Sequence, residues 1–440
     1  MIRRFLAPFA ALALLASAPA SAALSPAEQT MVRTVDAEQA QTVAMLQRWV
    51  DQNSGTMNIA GVEAVRRMVE PEFRALGFTT QWIDMSAAKR AGHLVARHVG
   101  KKNGKRLLLI AHLDTVFEAD SPFQRWVRQG DQGHGPGAGD DKGGIAVIVA
   151  ALRAMKAAGT LKDANITVFL TGDEEDAGSP LSISRRDLVA EGKKADVALD
   201  FEDLSQQDGP NGVVDMGSTA RRSAGSWTLT VTGRSAHSAG VGANDYGAIY
   251  ELARIIDQFR RELPEDKLTY NVGLVGGGQT VALDPAKIRL EATGKTNIIA
   301  ASAVARGDLR AISQDQIDRV RAKMRAIVGQ SLAGAKAEIS FDEDGYPPMP
   351  PTAGNRALLA KLNVVNGDMG LAQMGELDPA RRGAGDISFV AADVDGLVGL
   401  GPASDGSHTD KEVVDIPSIA KQAKRAAILM SRLAREPRRR

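Results

Sequence analysis

The sequence predicts an α/β protein in which a larger sheet wrapped by helices is interrupted by a smaller two-layer α+β unit, and three observations carry that reading. A short, uninterrupted apolar run at 107–110 and mostly apolar runs at 166–170 and 197–201 each lead directly into polar residues, the pattern of buried strands that deliver side chains at their carboxyl ends. Apolar residues at helical spacing from 143 to 157 separate the first two runs, which gives the alternation of a sheet covered by helices. From about residue 219 the texture changes to half-exposed strands and an amphipathic helix, and the α/β texture returns after Pro350.

In chain order, Arg3 and Arg4 precede an apolar stretch at 5–16 and the small-residue triplet Ala20-Ser21-Ala22, the pattern of an export signal peptide, so 1–22 is set apart from the fold. The catalytic candidate region then runs over 23–218 and resumes over 349–440, with the inserted unit at 219–348. Within the insert, 227–232 alternates like a half-exposed strand and 243–263 has helical amphipathicity. Further strands are expected near 270–275, 302–310 and 336–341, with a helix at about 315–328. Beyond it come a helix at 355–364, a strand at 396–400 and a final helix at about 416–435. A chain of 440 residues is long enough for two cores. No segment after the leader approaches ~20 uninterrupted apolar residues, so no membrane span is expected.

Composition excludes whole classes of chemistry. With 54 basic and 53 acidic residues the formal charge is +1, which gives no long-range attraction for nucleic acid. The chain has no cysteine, so disulfides, thiolate metal sites and cysteine nucleophiles are all ruled out. Any metal must sit on His, Asp and Glu.

The polar clusters fall at the carboxyl ends of the expected strands, where open α/β sheets place their ligand crevice. His112 and Asp114, two apart on a strand, point to the same side, and a carboxylate there can orient an imidazole that ligates a metal. Alone, the pair is a weak signal, more often a satisfied structural pair. Gly135-Pro136-Gly137-Ala138-Gly139-Asp140-Asp141-Lys142-Gly143-Gly144 puts two acids at the tight entry to a helix, where an ordinary capped glycine loop is the plain alternative. Asp173-Glu174-Glu175-Asp176 stacks four acids at the end of a buried strand, a costly arrangement unless cations lie beside it. Glu202 and His408-Thr409-Asp410-Lys411-Glu412 are unremarkable singly, but the five motifs together make a full set of oxygen and nitrogen ligands.

Those motifs, in that order, resemble the co-catalytic di-zinc exopeptidase and aminoacylase family that includes glutamate carboxypeptidase, acetylornithine deacetylase and succinyl-diaminopimelate desuccinylase. The likeness is strongest to secreted glutamate carboxypeptidases, through Ala138-Gly139-Asp140-Asp141-Lys142-Gly143-Gly144, Thr296-Asn297-Ile298-Ile299 and His408-Thr409-Asp410-Lys411. The resemblance implies a zinc-peptidase catalytic domain of the phosphorylase/hydrolase-like type, with a mixed sheet flanked by helices and interrupted by a lid and dimerisation domain. It implies two zinc ions per subunit, with manganese or cobalt as alternatives. Asp140 would bridge them, His112 and Glu202 would complete one site, and Glu175 and His408 the other. Glu174 would be general base to the attacking water and Asp114 would orient His112. By the same likeness His237, in Gly233-Arg234-Ser235-Ala236-His237, reaches from a partner subunit toward the developing oxyanion. Asn297 and Arg310 hold the substrate near its carboxylate, although Arg310 also reads as a strand-end ion pair. Gly383, in Gly383-Ala384-Gly385-Asp386, lines the substrate pocket.

Two departures bear on specificity. The family's proline a few residues after the middle-domain histidine is missing from 239–244, and no lysine follows Glu202 before Lys267, where glutamate carboxypeptidases carry one that recognises the glutamate side chain. The pairs Arg221-Arg222 and Arg381-Arg382 either favour an acidic side chain or are simply solvated. His93, His98 and His134 lack a motif partner and read as structural or exposed. The function expected is an exported di-zinc metallo-carboxypeptidase acting next to a C-terminal Glu or Asp of peptides, conjugates or acidic oligomers such as oligo-aspartate. An N-acyl-amino-acid amidohydrolase is the alternative within the family, and a metal-free binding protein is the alternative outside it. The expected partners are a small peptide or N-acyl amino acid with a free carboxylate and a second copy of the chain, with no nucleic acid.

Overall fold

The structure, a computed structural model, describes residues 24–438 apart from 102, 211, 243 and 244. The export segment expected at 1–22 lies outside the described residues, as does the expected helix start at Ala243. Helix α1 (Pro26–Val50) opens on a capping box: Ser25 Oγ accepts from the Glu28 N–H while the Glu28 carboxylate accepts from the Ser25 N–H. Pro26 takes the first helical position, where a missing N–H costs nothing. Helix α2 (Ile59–Ala75) and the antiparallel hairpin of β1 (Thr79–Asp84) and β2 (Gly92–His98) follow. These four elements precede the first strand expected from the sequence.

Strand β3 (Arg106–His112), helix α3 (Lys142–Ala157), strand β4 (Asn165–Thr171) and strand β5 (Val197–Asp200) form the centre of a six-stranded sheet ordered β1-β2-β4-β3-β5, with Gly396–Val398 on the far edge. β3, β4, β5 and Gly396–Val398 run parallel, while β2 lies antiparallel to β4, so the sheet is mixed. Leu107 and Leu109 of β3 enter the core made with α1, α3 and the C-terminal helix Ile416–Arg435, and Leu108 and Ile110 enter a second core with Phe169, Met349 and Val390. Both faces are covered, which is why the strand is apolar without interruption. The register sets His112 beside Thr171, and Ile110 beside Asp200. The ends of β3, β4 and β5 therefore open on one common edge.

A separate antiparallel sheet has its own core. β6 (Gly225–Gly233) lies between β9 and β10, and β7 and β8 both pair with β9, where β7 is Thr269–Tyr270, β8 Leu274–Gly278, β9 Ser302–Arg310 and β10 Ala335–Phe341. Alternate residues Trp227, Leu229 and Val231 pack on Leu252, Ile255 and Phe259 of α4 (Gly247–Glu262) and on Val320 and Met324 of α5 (Gln314–Val328). α4 begins at Gly247, whose φ of +73° already favours glycine; any Cβ there would also stand 2.5 Å from the Ile299 side chain. The hairpin Thr280–Leu283 with Leu290–Thr293 has no counterpart among the expected strands. Helix Ala353–Asp368 extends past both ends of the expected 355–364, and the last helix matches 416–435. Among the described residues no helix is long and apolar enough to cross a membrane.

Candidate metal centre and active site

His112 is the last residue of β3, and Asp140 comes from the glycine loop that enters α3. That loop is clamped by Glu412, whose carboxylate accepts from the N–H groups of Gly139 at 2.9 Å, Asp140 at 3.1 Å and Gly137 at 3.2 Å. His112 Nε2 lies 3.0 Å from Asp140 Oδ1, and His408 Nε2 lies 3.3 Å from Asp140 Oδ2 and 3.1 Å from Glu175 Oε2. Asp140 thus stands between two imidazoles, one oxygen toward each. His112, Asp140 and Glu175 each offer a ligand atom within 4.8 Å of the others. His408 holds its position at a φ of 65°, a left-handed backbone that is sparsely populated by non-glycine residues.

Asp114 ties the first strand to the second. His112 Nδ1 faces the Asp114 carbonyl at 3.1 Å and its carboxylate at 3.3 Å. The same carboxylate accepts from the Glu174 and Glu175 N–H groups, both at 3.1 Å, and from Thr56 Oγ1 at 2.6 Å. One buried side chain therefore orients an imidazole and the turn that carries two acids. Behind that turn, buried Arg185 pairs with Asp173 at 2.6 Å and Asp386 at 2.8 Å, and donates to the Asp173 carbonyl and to Tyr346 Oη. Tyr346 Oη in turn donates to the Glu174 carbonyl at 2.7 Å.

The electrostatics follow from packing carboxylates this closely. Burial opposes the charge on Asp140, yet the hydrogen bonds from His112 and His408 hold its carboxyl far below the usual range. Burial likewise opposes protonation of His112, but Asp114 and Asp140 drive its pKa well above normal. The hydrogen bonds to Asp140 and Glu175 raise His408 to about 11. Glu174 is pushed well up by burial and by the charge of Glu202, and Glu175 is raised by burial against the pull of His408. Burial and the charge on Asp140 raise Glu412 to about 7. The cluster as a whole calls for positive charge.

Glu202, just past β5, lines the same cavity of about 260 Å³ as Asp140, Glu174, Glu175 and His408. Its Oε2 accepts from Arg221 Nη1 at 2.6 Å and Arg382 Nη2 at 3.2 Å, and these guanidinium groups overcome burial to keep it ionised. Arg221 also donates to the carbonyls of Gly383 and Ala384, and Arg382 pairs with Asp203. For these two arginines the solvated alternative fails: Arg221 is 4% exposed and Arg382 8%. Their charge is drawn in by Glu202 and Asp203, which the strand end brings to the same wall. Gly383 lies on that wall, while Asp386 of the same loop is buried on Arg185 and Thr171.

The three residues expected from the second unit do not line this cavity. His237 is exposed, bridged to Ile298 beside Asn297, which is also exposed. Arg310 is half-buried and pairs with Asp308 at 3.0 Å. It lies near Arg222, which donates to Ala380 beside the Arg381-Arg382 wall and whose pKa is lowered by burial and by the charge of Arg310. His93 is fully buried, with Nε2 on the Ser184 carbonyl, and His98 and His134 are half-buried away from the cluster. Sequence reasoning does not single out Glu412, Thr56, Arg185 or Tyr346. Only Glu412 has a signal, its place four residues after His408.

Comparison with known proteins shows the family and the fold. A profile of peptidase family M20/M25/M40 matches residues 108–432. Carboxypeptidase G2 of Pseudomonas sp. (strain RS-16) is 29% identical over 412 residues, 89% of either chain. Succinyl-diaminopimelate desuccinylase of Leptothrix cholodnii is 28% identical over 207 residues, 45% of this chain and 52% of that one. Among solved structures, aminopeptidase PepT from Bacillus cereus superposes with a TM-score of 0.71 at 18% identity, over 90% of this chain and 99% of the other. The YXEP protein of Bacillus subtilis, a dinuclear metal binding peptidase from the M20 family, superposes with a TM-score of 0.63 at 14% identity, over 91% and 99%. With the profile running from the second residue of the apolar run in β3 to within a turn of the end of the last helix, this chain belongs to peptidase family M20/M25/M40, a family of hydrolases.

Proposed function

We propose that the protein is an exported two-zinc carboxypeptidase that hydrolyses the amide bond beside a C-terminal acidic residue, with a small peptide, conjugate or oligo-aspartate as substrate. The observation that carries this reading is Asp140 set between His112 and His408, with Glu175 on the second imidazole. The donor set fits a pair of divalent ions: neutral imidazoles and carboxylates are zinc ligands, and the demand for positive charge that raises both histidines is met equally by cations. Asp140 would bridge, His112 and Glu202 would hold one ion, and Glu175 and His408 the other. Bound there, such ions acidify water and polarise a carbonyl.

The chain's own residues supply the rest. Glu174, which lines the cavity beside Glu175, takes a proton from the attacking water and passes it to the leaving nitrogen. Asp114 keeps His112 in the orientation needed for Nε2 to face Asp140. Arg221 and Arg382, buried beside Glu202 on the cavity wall, favour an anionic group in the cavity and stand in for the missing lysine after Glu202. We assign 219–348 to a lid through which the chain dimerises, between catalytic parts at 23–218 and 349–440. In that dimer, His237 of one subunit would donate to the oxyanion in the other, with Asn297 and Arg310 on the substrate carboxylate.

The likeness to a desuccinylase over 207 residues favours one alternative, removal of an acyl group from an N-acyl amino acid. Release of free amino acid from dipeptides, pteroyl-glutamate, short aspartate oligomers and N-acyl amino acids separates the two, measured with and without a chelator and after zinc is restored. Chelator-sensitive release of terminal aspartate or glutamate is the expected result. Activity confined to acyl amino acids would move the assignment to the alternative, and silence across the zinc-loaded panel would overturn both.

A further inference from the structure

A second cavity, of about 430 Å³, opens where the chain enters and leaves the second sheet, between 223–225, 345–347 and α5. No residue lines both it and the acidic cavity. Its size lies within the roughly 300–1,000 Å³ of small-molecule sites. Leu309, Ile317 and Ile339 give it an apolar side. Its charge comes from Arg321 and Arg325, one turn apart on α5, whose guanidinium carbons lie 4.8 and 5.0 Å from the centroid of the Phe341 ring.

Two like charges on one ring are an unusual thing to build without an anion. Among the described residues neither arginine has an ion-pair partner, and Arg321 Nε is buried with no hydrogen-bond partner. The acids at the rim do not serve: Asp342 is taken by Arg306 and Lys287, and Glu343 is exposed. Burial and the neighbouring Arg325 both work against the charge on Arg321, with Asp318 pulling the other way. A planar guanidinium beside an aromatic face and a cavity with an apolar side is suited to a carboxylate carried on an apolar body.

We propose that this cavity binds a small organic carboxylate, with its acid group on Arg321 and Arg325 and its body against Leu309, Ile317 and Ile339. Tyr346 forms part of the wall, and its hydroxyl holds the Glu174 carbonyl, so an occupant touches the side chain that supports the acidic turn. Titration calorimetry of the zinc-loaded protein with benzoate, against benzyl alcohol as the neutral analogue and inorganic phosphate as the anion without a body, tests the assignment. The expected result is saturable benzoate binding at least about tenfold tighter than either control. It should be lost in R321M/R325M, where the apolar stems remain, while any benzoate held at the acidic cavity persists. The variant's thermal transition checks its folding, and exposed Arg325→Met alone gives a weaker version of the same loss should the double variant not fold. Benzoate binding unchanged in both variants, equal binding of benzyl alcohol or phosphate, or no binding at millimolar benzoate would each overturn the proposal.

Discussion

Asp114 and Glu174 show how much a single side chain carries at this site. The Asp114 carboxylate meets His112, Thr56 and the N–H groups of Glu174 and Glu175 at once, so Asp114→Ala removes the orientation of one proposed ligand and strands two backbone N–H groups and the Thr56 hydroxyl. Such a change is expected to weaken zinc binding by about 10–100-fold, read by competition with a chromogenic chelator. An unchanged affinity would show that His112 needs no such partner. Glu174 makes the opposite case, since its carboxylate is proposed to move a proton and not to hold metal. Glu174→Ala should keep its full zinc content by elemental analysis and lose about 10²–10⁴ in turnover. Substantial residual turnover would remove it from the role of general base.

At the scale of elements, the return segment through Tyr346 connects the second sheet to the acidic turn after β4. Tyr346→Phe keeps the ring packed on Phe389 at 4.9 Å but loses the bond to the Glu174 carbonyl, worth about 0.5–1.5 kcal/mol. Turnover should fall roughly 2- to 10-fold with KM nearly unchanged, and a change in KM alone would argue against positioning of the turn. The strand Gly212–Gly217 is pinned to the last helix by Asp215, which bonds Lys421 and buried Arg425, both at 2.7 Å. Burial opposes the charge of Asp215, but Lys421, Gln206 and Arg425 hold its pKa below the ordinary value. A carboxyl depressed on folding stabilises the protein above its unfolded pKa of about 3.9 and loses that contribution as pH falls through the folded value. Asp215→Asn should therefore cost about 3–5 kcal/mol near neutrality, because Arg425 stays buried and uncompensated, and should flatten the acid limb of Tm against pH. An acid limb identical to wild type would show that the pair does not titrate on unfolding.

Across the whole molecule, legibility tracks where burial is continuous. The strands at 106–112, 165–171 and 197–200 are readable because both faces are covered and the apolar run stops at the polar motif, so His112, Glu174, Glu175 and Glu202 emerge together. α1 escapes notice although Ser25, Pro26 and Glu28 mark its start, since its buried stripe of Met31, Val35, Thr42, Met45 and Trp49 is diluted by polar neighbours. Arg221 and Arg382 cannot be told from solvated pairs by sequence, because their burial depends on Glu202 and Asp203 arriving from a distant strand end. The role proposed for His237 depends on assembly. It is exposed at the edge of the second unit and lies off the acidic cavity, so it can serve catalysis only from a partner subunit or after a large lid movement. Mixing His237→Ala with Arg310→Ala, each inactive alone, tells the two apart. If the site is shared, half the dimers after free exchange are mixed and each has one intact site, so about a quarter of the wild-type rate should return. If each subunit closes on its own cavity, every site lacks one residue in any mixture, and no activity returns even when subunit exchange is demonstrated by mass labelling.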